Sequence, residues 1–433
     1  MYGAICGDII GSRFEFDRGP WTTEFELFTK ECDFTDDTVM TIAVAEGLIN
    51  AGPEASVEEV KKSIIDSMKK WGRLYPHAGY GAKFIHWIFD ENPKPYGSWG
   101  NGSAMRVSAA GWIYDSLERT LEVARATAEV SHNHKEGIKG AECTAAVIYL
   151  GRTGKSKEEI EEYVSKEFGY DLSESLEEMR KRHRHDESCM DALPKALKSF
   201  FCGDSYEAVV RNAVSLGGDT DTIAAIAGAM AEALYGMPIV IAVNARTYLT
   251  EEMLSVVDVF SKITGKPEEH HDDDNYENNK FIKMAVEQLY EDDCKESFFQ
   301  LLYVLLKRME EEGEAPTPMV EENNAMADID VGNLKVGDTL SLEHDLRFRM
   351  ETMKDHDDKL WFPLFTDYDE IYKGDTSYIN MNMSIESILR SGFYSDRVEG
   401  VVINPFGQAV TLNKEVLGIL LDQYDESLKE KNQ

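Results

Sequence analysis

Two short acidic clusters hold the residues of this chain best suited to chemistry. The first is Phe34-Thr35-Asp36-Asp37-Thr38; the second, far downstream, is Gly217-Gly218-Asp219-Thr220-Asp221-Thr222. Each heads an apolar, small-residue stretch of helical periodicity. If the fold brings them together, the carboxylates of Asp36, Asp37, Asp219 and Asp221 converge with several threonine hydroxyls. Such a group is hard to keep charged without divalent cations. Hard oxygen donors of this kind select Mg²⁺, Mn²⁺ or Ca²⁺ over zinc, and the pattern reads as the centre of a metal-dependent hydrolase.

Either cluster alone has a plainer reading, because Asp and Thr are common helix N-cap and first-turn residues. Two features weigh against capping as the whole explanation. Asp36-Asp37 sets two like charges side by side, more than a cap requires. Asp219 and Asp221 repeat the device behind a Gly-Gly turn that permits close backbone approach. Cations are also repelled by the positive ends of helices, so an ion held there must be attracted by several carboxylates at once.

The elements that position these clusters are helical over residues 1 to about 265, with Gly and Pro marking the breaks. The first helix carries Gly3, Gly7 and Gly11 at i, i+4 spacing, a small-residue stripe that lets a second helix come close. Thr38 to Asn50 is apolar at helical spacing and Gly52 stops it. Ala104 to Tyr114, Ile138 to Leu150 and Thr222 to Leu234 repeat the style, which suits buried helices. Gly97-Ser98-Trp99-Gly100-Asn101-Gly102-Ser103 is a Gly-rich loop that opens the helix from Ala104; backbone N–H groups at such a point can cradle a phosphate, although most Gly-rich loops only turn the chain. Ser131-His132-Asn133-His134 precedes another Gly-containing helix.

Beyond this part the chain changes character. Glu268 to Asn275 is charged and polar, a linker in which His270 and His271 read as solvated hinge residues. Phe281 to Arg308 is an amphipathic helical stretch, and an acidic, Pro-containing break follows over Glu310 to Glu322. Leu360 to Phe365 and Gly400 to Pro405 are strand-like runs between turn residues, and Ile385 to Leu389 and Lys414 to Leu421 read as helices. The tail is an α+β module. The expected organisation is therefore multidomain: an all-α domain over 1–265, an acidic linker over 266–280 and a smaller α+β domain over 281–433.

With 80 acidic against 45 basic residues the net charge is −35, which disfavours nucleic acid and anionic membrane as general partners. An anionic ligand would need its own local set of donors. The six cysteines form no metal-spaced pattern and read as reduced thiols. The opening MYGAICGDII lacks a basic leader and is broken by Asp8, so it is not read as a signal peptide, and no run is long enough to span a membrane. The expected location is the cytoplasm, of a bacterium.

In order along the chain, Gly7-Asp8 with Glu15, Thr35-Asp36-Asp37-Thr38, Gly79-Tyr80-Gly81, Gly100-Asn101-Gly102-Ser103-Ala104-Met105-Arg106, Ser131-His132 and Gly217-Gly218-Asp219-Thr220-Asp221-Thr222 resemble the ADP-ribosylglycohydrolase family, which includes the dinitrogenase-reductase-activating glycohydrolases. The resemblance covers residues 1 to about 265. It implies an all-helical fold with two Mg²⁺ (or Mn²⁺) ions, held by Thr35, Asp36, Asp37, Asp219, Asp221 and Thr222. It further implies that Glu15 gates or catalyses, and that Asn101, Gly102, Ser103, Met105 and Arg106 form the loop that meets ADP-ribose. His132 would face the substrate, and Tyr80 and Gly81 would line the pocket. The implied reaction is hydrolysis of the bond between ADP-ribose and an acceptor, preferentially arginine on a protein, otherwise a small ADP-ribose conjugate, with Asp36 and Glu15 as the candidate acid/base carboxylates. A non-catalytic ADP-ribose binder or toxin-immunity protein, and another dinuclear-metal hydrolase acting on a nucleotide-like substrate, are the alternatives. In the tail, Trp361 to Asp367 and Gly400 to Gly407 resemble the SseB-type N-terminal domain, which implies a surface for another protein and no chemistry.

Overall fold

The computed structural model describes residues 1–16, 18–182, 185–264, 279–292, 294–321, 348–374 and 379–431. The expected linker with His270 and His271 lies outside them, save for its last two residues. Contacts divide the chain into Met1–Pro267 and Glu268–Gln433.

The described elements of the first unit are all helices: α1 (Tyr2–Ser12), α2 (Asp36–Ala51), α3 (Val57–Leu74), α4 (Ala82–Phe89), α5 (Gly102–Met105), α6 (Ser108–Ile113), α7 (Leu117–Glu129) and α8 (Lys135–Arg152), followed by α9 (Lys157–Glu167), α10 (Leu176–Arg180), α11 (Cys189–Cys202), α12 (Tyr206–Val214), α13 (Thr220–Tyr235), α14 (Ile239–Arg246) and α15 (Glu251–Thr264). Their starts follow ordinary capping chemistry: Ser56, Ser156 and Ser175 each close a capping box with a glutamate three residues on. None of the described helices is long and apolar enough to cross a membrane.

The centre of the unit is the pair α1 and α13. Both are buried along almost their whole length, unlike α3, whose buried positions form one stripe. The Gly3, Gly7 and Gly11 stripe of α1 lies directly on α13. A Cβ added at Gly3 would sit 2.2 Å from the Gly228 carbonyl oxygen, one at Gly7 2.1 Å from that of Ala224, and one at Gly11 2.6 Å from that of Thr220. Residues four apart share a helix face, so three missing side chains open one continuous track. Thr220 Oγ1 donates to the Gly11 carbonyl at 2.9 Å, and Tyr206 Oη donates to that of Gly3 at 2.9 Å. The second cluster is thereby fixed against the end of α1.

The stretch Ala104 to Tyr114, expected as one helix, is instead α5 and α6, divided at Arg106–Val107. Its alanine and glycine content reports burial, not continuity, and the division lies at an arginine that the fold takes wholly inside.

In the second unit the described elements are α16 (Lys280–Asp292), α17 (Lys295–Glu310), β1 (Glu314–Glu321), β2 (Phe348–Met350), β3 (Met353–Lys354), β4 (Leu360–Leu364), α18 (Tyr368–Tyr372), β5 (Ile379–Ser384), α19 (Ile385–Tyr394), β6 (Gly400–Ile403), β7 (Val410–Asn413) and α20 (Lys414–Lys431). The sheets run β2-β1-β5 and β3-β4-β6-β7. Two expectations are corrected. The amphipathic stretch from Phe281 is two helices, parted between Asp292 and Lys295, where polar residues interrupt the apolar face. The Pro-containing break is mostly strand β1. Pro316 falls where β1 pairs with β5 alone, as on an edge strand, and at Pro318 the backbone takes part toward the β2 side as an acceptor, from Glu351 N at 2.9 Å, so neither position shows a need for the missing N–H.

Gly7→Ala should destabilise the first unit by about 3 kcal/mol, the upper end of overpacking costs, because the new methyl meets backbone that cannot swing aside. A lowered denaturant midpoint would register it; an unchanged midpoint would mean the two helices part freely.

Candidate functional site

The site grows from three helix ends. Thr35 is the N-cap of α2, and its Oγ1 accepts from Asp37 N at 3.2 Å. Capping therefore occupies Thr35 and leaves the carboxylates of Asp36 and Asp37 for other work. At α13, Asp219 holds the N-cap position without a capping hydrogen bond; its Oδ2 accepts from Asn101 Nδ2 at 2.5 Å. The bond that joins the clusters is Thr222 Oγ1 to Asp37 Oδ2, 2.9 Å long between residues 185 apart in sequence. Asp37, Asp219, Asp221 and Thr222 are buried, and Thr35, Asp36 and Glu15 are half-buried.

Asp8 belongs to this group too. It is wholly buried in α1, and its carboxylate accepts from Thr35 N (3.0 Å), Thr35 Oγ1 (2.7 Å) and Thr38 N (2.9 Å). It ties α1 to the start of α2 while reaching the cluster. Oxygens of Asp8, Asp37 and Asp221 lie within 4.8 Å of one another, as do those of Glu15, Asp219 and Asp221. Asp37 Oδ1 and Asp221 Oδ1 are buried without a hydrogen-bond partner, and no lysine or arginine among the described residues pairs with any of the six carboxylates. Buried carboxylate oxygens without partners, on residues whose carboxylates lie this close together, are what a divalent-cation site presents, and the residues present fit such a group.

The electrostatics express the same crowding. Burial first, then the charge of Asp8 and neighbouring acids, pushes Asp36 and Asp37 well above the usual carboxylate range. Asp221 is raised by burial and then by Asp219 and Asp37. Burial lifts Asp219 as well, offset in part by the Asn101 amide. Asp8 is pushed up to about 6 by burial, against the hydrogen bonds from Thr35 and Thr38 that favour its charged form. Glu15 reaches about 7 through burial and Asp219, with His185 and Arg18 opposing. For His185 burial alone would lower the value, but Glu187, Asp219 and the Gly218 backbone together raise it.

The Gly-rich loop flanks the acids. Gly97 N donates to Asn133 Oδ1 (2.7 Å), Gly100 N to Ser98 Oγ (3.2 Å) and Asn101 N to the Glu187 carbonyl (2.8 Å), so these N–H groups brace the loop itself. Ser103 Oγ donates to the Gly137 carbonyl at 2.7 Å. Arg106 has no exposed surface, and its Nη2 donates to the Thr127 carbonyl and to Ser131 Oγ. Met105 and His132 are buried, and the His132 ring lies under Gly100 and Gly102. Tyr80 is half-buried, its ring 5.8 Å from that of Phe84, its hydroxyl without a partner and its pKa raised by burial and Asp36. Gly81 is the exposed N-cap of α4, and the neighbouring Gly79 approaches Asp36 Oδ1 so closely that an added Cβ would lie 3.1 Å away.

Asp8 and His185 were not singled out as site residues by their sequence context. Asp8 carried a signal, a carboxylate inside an otherwise apolar helix beside a glycine stripe. His185 lies in a polar run with no distinguishing spacing.

Residues 1–264 match the model of the ADP-ribosylglycohydrolase family. The chain is 27% identical to "ADP-ribosylhydrolase ARH3" of Homo sapiens, over 55% of this chain and 84% of that protein. It is 28% identical to an uncharacterized protein of Archaeoglobus fulgidus, over 46% and 70%, and 24% identical to "ADP-ribosylarginine hydrolase Tri1" of Pseudomonas putida, over 55% and 70%. A solved structure titled "ADP-ribosylglycohydrolase-related protein complex" aligns with a TM-score of 0.48 at 24% identity, covering 60% of this chain and 95% of that one.

The raised carboxylates fix the sign of the pH response. Asp8 rises from 3.8 to about 6 and Glu15 from 4.5 to about 7 on folding. Between those limits the folded state holds protons that the unfolded chain has lost, so metal-free stability falls as pH rises through this window. Asp37→Asn should stabilise the metal-free protein at neutral pH relative to the parent and lose most of that advantage by about pH 4, close to the ordinary aspartate value, as the unfolded chain's Asp37 also takes up its proton. Melting curves at the two pH values check this; equal stability at neutral pH would mean that Asp37 is not repelled.

Proposed function

The chain belongs to the ADP-ribosylglycohydrolase family, whose reaction is hydrolysis of an ADP-ribose linkage, and on that premise we propose that its substrate is ADP-ribosylated arginine on protein and its metals two Mg²⁺ (or Mn²⁺) ions. The observation that carries the metal part is the pair of orphaned oxygens, Asp37 Oδ1 and Asp221 Oδ1, from helix starts joined by the Thr222–Asp37 bond. Thr35, Asp36, Asp37, Asp219, Asp221 and Thr222 would hold the ions, with Asp8 added to the expected set. Bound cations would supply charge neutralisation and Lewis-acid activation at the ribose hydroxyls and a water.

The chain's own residues account for the rest. Asn101 fixes the Asp219 carboxylate and ties the loop to the acids. Glu15 is half-buried beside Asp219 and Asp221, where a carboxylate within reach of the bound sugar could act as general acid or base. Asp36 is the second candidate, supported by its place beside Gly79. Tyr80, Gly81, Gly102, Ser103, Met105 and His132 would line the ADP-ribose site, with Arg106 supporting it through Ser131. The arginine acceptor draws its support from the name of the Pseudomonas putida relative, whereas the human relative is named for ADP-ribose hydrolysis without an acceptor. Residues 281–433 would be an accessory SseB-like domain that binds another protein; the helices and short strands of that unit agree with its α+β character and go no further.

The assay supplies arginine-, serine- and acetyl-ribose-linked ADP-ribose with Mg²⁺ and measures free ADP-ribose. Release from the arginine substrate is expected. Asp36→Asn and Asp219→Asn should each lower turnover at least about 100-fold, the scale on which disturbing even an outer partner of a metal ligand acts. No release from any of the three substrates would overturn the reading, and tight ADP-ribose binding without turnover would leave a binder in its place. Removing residues 281–433 should leave hydrolysis of the small substrate within about twofold, an activation difference below the 1.36 kcal/mol of a tenfold change. Total loss in a folded, soluble truncation would make the tail part of the site.

A further inference from the structure

We propose that Arg106 and Ser131 fix His132 as the neutral tautomer that carries its proton on Nε2, making it a permanent hydrogen-bond donor toward the Gly100–Gly102 loop. Arg106 and Ser131 are then positioning residues that act through His132. That the donor serves an oxygen of ADP-ribose rests on the hydrolase reading above; the tautomer itself does not.

The inference follows from counting donors and acceptors at one buried oxygen. Ser131 and Arg106 are 0% exposed and His132 is 5% exposed. Arg106 Nη2 reaches Ser131 Oγ at 2.8 Å and the Thr127 carbonyl at 3.1 Å. A guanidinium only donates, so one lone pair of Ser131 Oγ is taken. The same Oγ lies 2.8 Å from His132 Nδ1. If Nδ1 carried the proton, the oxygen would accept twice and its own O–H would have no acceptor among the described residues, a buried donor left unmade at a cost of about 1–3 kcal/mol. If the serine donates instead, its hydroxyl and Nδ1 are both satisfied, and Ser131 Oγ still accepts from Arg106 Nη2. Nδ1 is then an acceptor, and the neutral ring must carry its hydrogen on Nε2.

The surroundings agree. The ring is held well below the usual histidine range by burial and then by the Arg106 charge, which removes the doubly protonated form. Its backbone is anchored by His132 N to the Ala128 carbonyl at 2.7 Å, and the Ser131 carbonyl accepts from Tyr96 N at 3.2 Å. The ring is flanked by Phe84 (6.4 Å) and Tyr96 (5.9 Å). Nε2 faces the loop: an added Cβ would lie 3.2 Å away at Gly102 and 3.5 Å away at Gly100. Among the described residues no acceptor takes the Nε2 proton. Arg106 itself keeps Nε and Nη1 without partners, with its guanidinium 5.5 Å from the Phe84 ring centre.

The test is a long-range ¹H–¹⁵N correlation spectrum of the full-length protein labelled with ¹⁵N-histidine, with His132 assigned by its loss in His132→Gln. At neutral pH the His132 signals should show Nδ1 in the pyridine-like range and Nε2 in the pyrrole-like range. A proton on Nδ1, or on both nitrogens, overturns the proposal, and this wild-type measurement needs no variant to fold. Ser131→Ala should mix the two tautomers and lower kcat/KM on the ADP-ribosylated substrate about tenfold; an unchanged spectrum would remove Ser131 as the cause. The expected spectrum in a protein without turnover would sink the hydrolase reading and leave the tautomer standing.

Discussion

The structure depends on how closely α1 can approach α13. Three glycines on one face bring the helix backbones to a separation at which a single methyl group would collide with a carbonyl oxygen. Interiors packed at crystal-like density do not absorb such a collision by small adjustments. The approach also sets the chemistry, because Asp8 lies one residue beyond Gly7 and Asp219 and Asp221 flank the first turn of α13. A wider separation would keep the fold recognisable and pull the carboxylates apart. Asp8 then makes the same helix serve twice, gripping α13 through its glycine face and the start of α2 through its carboxylate.

That geometry gathers negative charge where water is scarce. The cluster has some internal compensation. The N-terminus of α2 offers Asp8 two backbone N–H groups, α13 also presents its N-terminal end, and helix starts favour anions. Asn101 and Thr222 each supply one further donor. None of these is a full positive charge, which is why the carboxylates resist ionisation in the protein alone. Two resolutions exist, protonation or bound cations, and they make opposite demands on the side chains. Protonated acids could each pair with a neighbouring acceptor, as Asp219 and Asp221 do with one another, yet Asp37 Oδ1 and Asp221 Oδ1 remain buried with no partner. The arrangement favours cations.

The sequence made the acid clusters legible because carboxylates doubled at a helix start exceed what capping uses, and the structure shows the surplus: Thr35 caps α2 while Asp36 and Asp37 do not. The glycine stripe was equally legible, since i, i+4 spacing states a face without any knowledge of the partner. Asp8 was harder. A lone acid in an apolar helix has no spacing signature, and its worth appears only when the far ends of the chain meet over it. The division of the helix at Arg106 and the strand through Pro316 and Pro318 were misread for a related reason. Composition reports burial and local preference, while continuity and pairing depend on partners distant in sequence. The Ser131–His132 relay could not be read at all, because its meaning lies in the third member, Arg106, which arrives from another helix end.

The two sides of the site answer different parts of one electrostatic problem. A protein with a net charge of −35 has no bulk attraction to offer an anionic ligand, and at physiological ionic strength charges beyond about 8 Å are largely screened. Recognition must come from donors in contact. The acid side cannot provide them, and the Gly-rich loop has already committed the N–H groups of Gly97, Gly100 and Asn101 to its own bracing. Arg106 is charged but buried, its pKa lowered to about 10 mainly by desolvation. Exposing that guanidinium beside six carboxylates would invite an ion pair and collapse the centre. Bonded to Ser131 instead, it acts through a neutral ring that can donate to an anion without attracting an aspartate.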